Sequence, residues 1–132
     1  MFAEHALAES EKRFRALVTA SSDVVYRMSA DFEELRALEG RLFVAASPAP
    51  NRNWLEEYIY PEDQEQTRAA IREAIERRGM FEFECRVFLA DGRVGWTHTR
   101  AVPMLDADGK ITEWIGMVTN VTARKNAEHA LA

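Results

Sequence analysis

Three histidines, one cysteine and several carboxylate clusters are the side chains in this 132-residue chain best able to do chemistry. His5, His98 and His129 stand far apart, and no His, Cys or carboxylate group has the short spacing that holds zinc or iron. There is no Ser/His/Asp order, no phosphate-cradling glycine loop and no H-E-x-x-H stretch. Glu56, Glu57, Glu62, Asp63 and Glu65 crowd helix-like segments. There they read more simply as solvated helix charges and partners of the positive helix end than as acid and base pairs. Cys85 sits in a strand-like run with apolar alternate neighbours, where a thiol is more often an inert small hydrophobe than a nucleophile. Asn120-Val121-Thr122 spells a glycosylation sequon, yet no secretory leader is evident and a helix junction explains the triplet better. No catalytic residue and no metal ligand set is expected, so catalysis by this domain is not expected.

Composition narrows the partners. The net charge is −5 and both signs are interleaved instead of gathered into a basic patch, which argues against nucleic acid and anionic membrane. No run of 18 apolar residues occurs and Met-Phe-Ala-Glu-His is no signal peptide, so no membrane segment is expected and the cytoplasm is the expected location. A single cysteine suits a reducing compartment. The length fits one domain with a real core.

The elements that must position these residues are legible as a sequence of periodicities. Residues 3–20 read as an amphipathic helix with Leu7, Phe14, Leu17 and Val18 on a narrow stripe, broken by Ser21-Ser22-Asp23. Val24–Met28 and Leu35–Leu38 read as short strands, Gly40–Asn53 as loop, and Trp54–Tyr60 as a brief helix. Pro61–Arg78 carries Pro at the first helical position, acidic residues in the first turn, and Arg77, Arg78 and Gly79 at its end. Three strands follow, over Met80–Leu89, Val94–Leu105 and Ile111–Val121. Asp91-Gly92 and Asp108-Gly109 join them, as the positive φ of tight hairpins requires. A charged helical segment then leaves the sheet. The order is an α+β plan. Phe81, Phe83, Cys85, Val87 and Leu89 share one strand face while Glu82, Glu84 and Arg86 share the other.

These residues resemble the PAS domain, in the variety whose C-terminal half carries a PAC motif, found in bacterial sensor histidine kinases and cyclic-dinucleotide signalling proteins. The resemblance covers nearly the whole chain. It rests on Tyr58-Ile59-Tyr60-Pro61-Glu62-Asp63, on Phe81-Glu82-Phe83-Glu84-Cys85-Arg86, on Asp91-Gly92-Arg93 followed by Trp96, on Pro103, on Asp108-Gly109-Lys110, and on Gly116 before Asn120-Val121-Thr122-Ala123-Arg124-Lys125. Asn120 departs from the family's usual Asp at that place: it still accepts a hydrogen bond but carries no charge, and Thr122 is expected to cap the next helix.

The resemblance implies a five-stranded antiparallel sheet with short helices and one longer helix on one face, flanked by N- and C-terminal helices. It divides the chain into a linker helix over 1–20, the PAS/PAC domain over 21–122 and the start of a signalling helix over 123–132. It also implies an inward face of Phe83, Cys85, Val87, Thr97, Thr99, Ala101, Trp114, Gly116 and Val118, with Ile71 and Ile75 from the long helix, around a possible ligand cavity. Asn120, Val121 and Thr122 form the implied signal-output junction. Trp96, His98 and Arg100 would point outward, toward the N-terminal helix or a second subunit, and a register shift of one residue would exchange the two sets.

Haem-binding relatives use a histidine on the long helix, which Pro61–Arg78 lacks, and His98 reads as a surface or interface residue. Flavin photoreceptors of the family use a mid-chain cysteine and a glutamine on the last strand. Here the middle segment has no cysteine and Val118 stands at the glutamine position. Haem and photoactive flavin are therefore disfavoured and no cofactor is expected, although an unidentified small molecule stays open.

Independently of the family, residues Ala3-Glu4-His5-Ala6-Leu7-Ala8 recur unchanged as Ala127-Glu128-His129-Ala130-Leu131-Ala132. This implies equivalent linker helices and a longer protein carrying such domains in tandem. The expected partners are a second copy, through the flanking helices, and neighbouring PAS or output domains of the same chain. Two functions stay open: a sensor of a small molecule, with room left by Gly95, Thr97, Thr99, Ala101 and Gly116, or a ligand-free dimerisation and relay module whose core is filled.

Overall fold

In a computed structural model, which describes residues 8–13, 16–17, 24–40, 44 and 50–131, five strands form one antiparallel sheet in the order β2-β1-β5-β4-β3. The strands are β1 (Val24–Ser29), β2 (Leu35–Gly40), β3 (Phe81–Phe88), β4 (Val94–Leu105) and β5 (Ile111–Asn120). Between β2 and β3 lie α1 (Trp54–Tyr58), a 3-10 turn (Pro61–Asp63) and α2 (Gln64–Arg77). The last element is α3 (Thr122–Leu131). Residues 8–13 and 16–17 are helical, and Leu17 is 70% exposed. Leu7, Phe14 and Val18 of the expected stripe, the break at Ser21–Asp23, most of the loop over 40–53 and the first copy of the repeat apart from Ala8 lie outside the described residues. Among the described residues no helix is long and apolar enough to cross a membrane.

The sheet is built from the alternation that the strands carry. On β3, Phe81, Cys85 and Val87 are buried while Glu82 is exposed. On β4 and β5, Thr97, Ala101 and Trp114 are buried and Val102 and Met117 are not. Register fixes these faces together: Cys85 pairs with Thr97, Thr99 with Val118, and Gly116 with both Ala101 and Tyr26. Over the inner face lie Leu55 and Tyr58 from α1 and Ile71 and Ala74 from α2, all part of one apolar core. Phe32, from the β1–β2 turn, stands at its centre, with ring contacts to Tyr26, Trp54, Phe81 and Trp114.

Both Asp-Gly turns form, as three-residue loops with the glycine in the left-handed region. Gly92 has φ 87° and Gly109 has φ 77°, and the closing pairs are Leu89 with Arg93 and Asp106 with Lys110. Several element ends differ from the sequence expectation for local reasons. The helix expected over Trp54–Tyr60 stops at Tyr58, because Ile59 bridges to Val87 and the Tyr60 N–H donates to the Arg86 carbonyl. The helix expected from Pro61 begins as a 3-10 turn. Asp63 gives its first α-helical residue no side-chain cap, since its carboxylate is taken by Arg86. At the other end Arg78, not Gly79, adopts the left-handed conformation (φ 51°) and donates its N–H to Ala74 and Ile75, while its guanidinium reaches the Gly109 carbonyl at 3.1 Å.

Candidate functional site

Two adjoining features occupy the two sides of β3 and β4. On the inside is a core cavity of about 100 Å³. Of the residues expected inward, Ile71, Phe83, Cys85, Val87, Thr97, Thr99 and Val118 line it. Ile75 packs on the core from its edge, and Ala101 and Trp114 are buried in the core without lining the cavity. Gly116 also stays outside the lining, because the Tyr26 ring covers it: a Cβ there would stand 2.2 Å from the Tyr26 Cζ. Gly95 is likewise closed off by Leu89 and by the Thr122 hydroxyl.

Among the described residues the lining is almost wholly apolar, and its polar groups are already partnered. The Tyr26 hydroxyl and Thr99 Oγ1 are 2.7 Å apart, Thr97 Oγ1 donates to the Cys85 carbonyl at 3.2 Å, and Thr67 Oγ1 donates to the Asp63 carbonyl at 2.7 Å. Burial pushes the Tyr26 phenol far above its ordinary range and the Cys85 thiol up to about 11, so both remain neutral near pH 7. A neutral, buried thiol is a poor nucleophile. Among the described residues no buried side-chain polar atom lacks a partner and no His/Cys/carboxylate group is placed to hold a metal. The cavity therefore offers dispersion contact and little else. Ordinary ligand pockets span about 300 Å³ or more, whereas an engineered apolar cavity of about 150 Å³ takes benzene. His98 stands on the other side of the sheet, 2.9 Å from Glu82.

On the outside, β3 and β4 hold the start of α3. The Trp96 N–H donates to Thr122 Oγ1 at 3.0 Å, and the Val121 N–H donates to the Trp96 carbonyl at 2.9 Å. Asn120 Oδ1 accepts from the Thr122 N–H at 3.0 Å and from its hydroxyl at 2.6 Å. Asn120 thus accepts a hydrogen bond as expected, its amide oxygen satisfying the first helical N–H, while the Thr122 side chain, expected to cap the helix, ties it to β4 instead. One turn on, Glu84 pairs with Lys125 at 3.0 Å and with Arg124. These two cations hold its carboxyl below the usual range.

Trp96 is the hub of this mount. Lys125 Nζ lies 5.0 Å from its ring centroid, the Arg86 guanidinium 5.6 Å, and the His129 ring meets it edge-on at 6.4 Å. Trp96 was expected to point outward, and on that outer side it meets α3. Arg86 continues inward to α2. It donates to Asp63 Oδ1 at 2.6 Å and, through Nε, to Oδ2 at 3.1 Å, while its backbone N–H donates to the same Oδ2 at 2.7 Å. Those bonds hold the Asp63 carboxyl below its ordinary value. Asp63, Arg86, Trp96 and Lys125 form a continuous line from the start of the long helix to the leaving helix.

Sequence reasoning did not single out Tyr26, Phe32, Trp54, Tyr58 or Thr67 as cavity residues. The alternation Val24, Tyr26, Met28 carried the signal for Tyr26, and Thr67 lies four residues before Ile71 on one helical face. Nothing periodic marks Phe32, a turn residue.

The geometry agrees with comparisons to known proteins. A family model described as PAS fold matches residues 46–118. An uncharacterized protein of Sinorhizobium fredii, y4lL, is 27% identical over 126 residues, which is 93% of this chain but 15% of that protein. Among solved structures, a sensory box histidine kinase/response regulator from Burkholderia thailandensis superposes with a TM-score of 0.72 at 23% identity, over 90% of this chain and 92% of that one. The N-terminal domain of a diguanylate cyclase with PAS/PAC sensor from Marinobacter aquaeolei superposes with a TM-score of 0.67 at 16% identity, over 78% and 98%. A five-stranded sheet in this order, a cavity beneath its helical layer and a family model covering more than half of the sequence together place the chain in the PAS family.

Proposed function

We propose that this chain is a sensory signalling module that reads the state of its core cavity out through α3 and does no chemistry of its own. One observation carries the reading: β3 and β4 are at once the wall of the cavity and the mount of the leaving helix. Cys85, Val87, Thr97 and Thr99 face the cavity, while Glu84 and Trp96 on the same strands hold α3. A molecule that favours one spacing of these strands biases the helix, by no more than the difference in its affinity for the two states. The lining chemistry makes that molecule small, neutral and apolar. Cys85, a lone thiol kept neutral by burial, suits a reducing cytoplasmic setting.

The parent protein in this reading is longer and carries an output domain, of the kind named in the histidine kinase and diguanylate cyclase relatives. The repeated six-residue segment supports further copies in tandem. Absorbance and native mass of the purified chain test for a retained molecule. Benzene titration followed by amide hydrogen exchange then tests the readout: stabilisation with altered exchange in α3 is expected, and binding that leaves α3 untouched would sink the relay.

A second reading, a homodimer that relays without ligand, draws on the outer sheet face. Val102, Met104 and Met117 stand there 48%, 45% and 40% exposed, on paired strands. Native mass over a concentration series tests it. A dimer converted to monomer by Met117→Glu supports this reading, and a wild-type chain that stays monomeric removes it.

A further inference from the structure

The β1–β2 turn holds a bulky residue in an uncommon conformation: Phe32 has φ 63°. An aromatic side chain in the left-handed region is strained, and such a conformer persists only where its surroundings fix it. Here they do. The Phe32 N–H donates to the Ser29 carbonyl at 2.9 Å, the Ser29 hydroxyl and the Glu33 N–H both bind Asp31 Oδ1, and the Trp54 indole N–H donates to the Phe32 carbonyl at 3.1 Å. The ring is held inward, 5% exposed, with the Trp114 ring 5.3 Å away.

Phe32 has two neighbours of different kinds. It borders the core cavity, and it also borders a surface groove between the turn, α1 and α2 that Arg68 and Arg72 rim. Among the described residues, Trp54 and Ile71 are the others common to both spaces, so that one layer of described side chains stands here between the cavity and the groove. Trp54 and Ile71 stand on helical backbone, where no strain invites them to move. Phe32 stands on a turn, and a passage of its φ to the negative side would relieve strain and swing the Cα–Cβ bond, and the ring with it, out of the core.

We propose that Phe32 is the movable partition between the cavity and this groove, setting both the route by which a small apolar molecule arrives and the largest one admitted. The proposal rests on the cavity being a binding site, as argued above. Its test uses the folded chain with benzene as the small probe and naphthalene as the large one, uptake and release being followed by NMR exchange. Trp54→Phe keeps an aromatic ring but removes the hydrogen bond to the Phe32 carbonyl. It is expected to speed uptake and release by about fivefold, the weight of one neutral hydrogen bond. Phe32→Leu is expected to speed exchange and to admit naphthalene, which the wild type excludes. Should Phe32→Leu fail to fold, Trp54→Phe decides alone. Folded variants with wild-type rates and the wild-type size limit overturn the partition and leave the cavity reading standing. Absence of benzene binding in the wild type and both variants overturns both.

Discussion

Gly116 and Tyr26 show how one missing side chain sets the inner surface of the sheet. The phenol ring lies where a Cβ on residue 116 would be, and its hydroxyl reaches Thr99 across β5. Gly116→Ala must push this ring toward the cavity and break that hydrogen bond. A loss of about 2 kcal/mol in urea unfolding is expected, the usual scale for an overpacked core. Asp63 gives a second prediction, with a pH signature. Its carboxyl titrates below its ordinary value because Arg86 hydrogen-bonds the ionised form, so the unfolded chain holds the proton more tightly than the folded one. The stabilisation is complete above the ordinary carboxylate range and is lost as pH falls below about 4 toward the folded value. Asp63→Asn should therefore lower the urea midpoint at pH 7, and its deficit against wild type should shrink in acid. A deficit independent of pH would contradict this origin. These residues were unequally legible. Asp63 reads as a helix-start carboxylate from sequence, but its commitment to Arg86, 23 residues away, depends on α2 folding back on β3.

At the scale of elements, the junction of β5 with α3 is where the leaving helix is fastened to the sheet. Three groups hold it: the Thr122 hydroxyl on Trp96, Glu84 on Arg124 and Lys125, and the aromatic face of Trp96 under Lys125. Thr122→Ala leaves the Trp96 N–H without that acceptor. It should cost about 1 kcal/mol and raise hydrogen exchange through the first turn of α3. Glu84→Gln removes a partly exposed charge that meets two cations, so it should loosen α3 chiefly at low salt while the urea midpoint barely moves. Exchange that stays at the wild-type level in both variants would mean that the helix is held elsewhere. Element types were readable because hairpin loops, helix caps and two-residue alternation are local. Element ends were less so. Arg78 takes the left-handed position in place of Gly79, and its guanidinium finds the Gly109 carbonyl on a distant turn.

At the scale of the molecule, and among the described residues, one side of the sheet is closed over a core, and the other carries several exposed apolar side chains. The closed side holds a cavity near the lower size limit for binding an organic molecule, and the other side carries the exposed methionines and valine together with the α3 mount. Benzene should raise the midpoint of thermal unfolding in proportion to the logarithm of its free concentration above Kd, as any molecule bound only by the folded state must. Thermal scans across a benzene series check this. A midpoint that does not respond would indicate a core already filled.

The sequence by itself determined the fold class, the element order and the two faces of β3. These follow from periods of 2 and 3.6, from glycine where the backbone turns left, and from prolines and carboxylates at helix starts. It also pointed to the stretch around Asn120-Val121-Thr122 as the exit. Tertiary structure alone decided that Tyr26 fills the space over Gly116, that Phe32 stands strained between cavity and groove, and that Trp96 meets α3. The physical reason is the same in each case. A cavity is a remainder left after side chains from distant segments have packed, and a hydrogen bond or ring contact across 22 or 26 residues leaves no pattern in the neighbouring sequence.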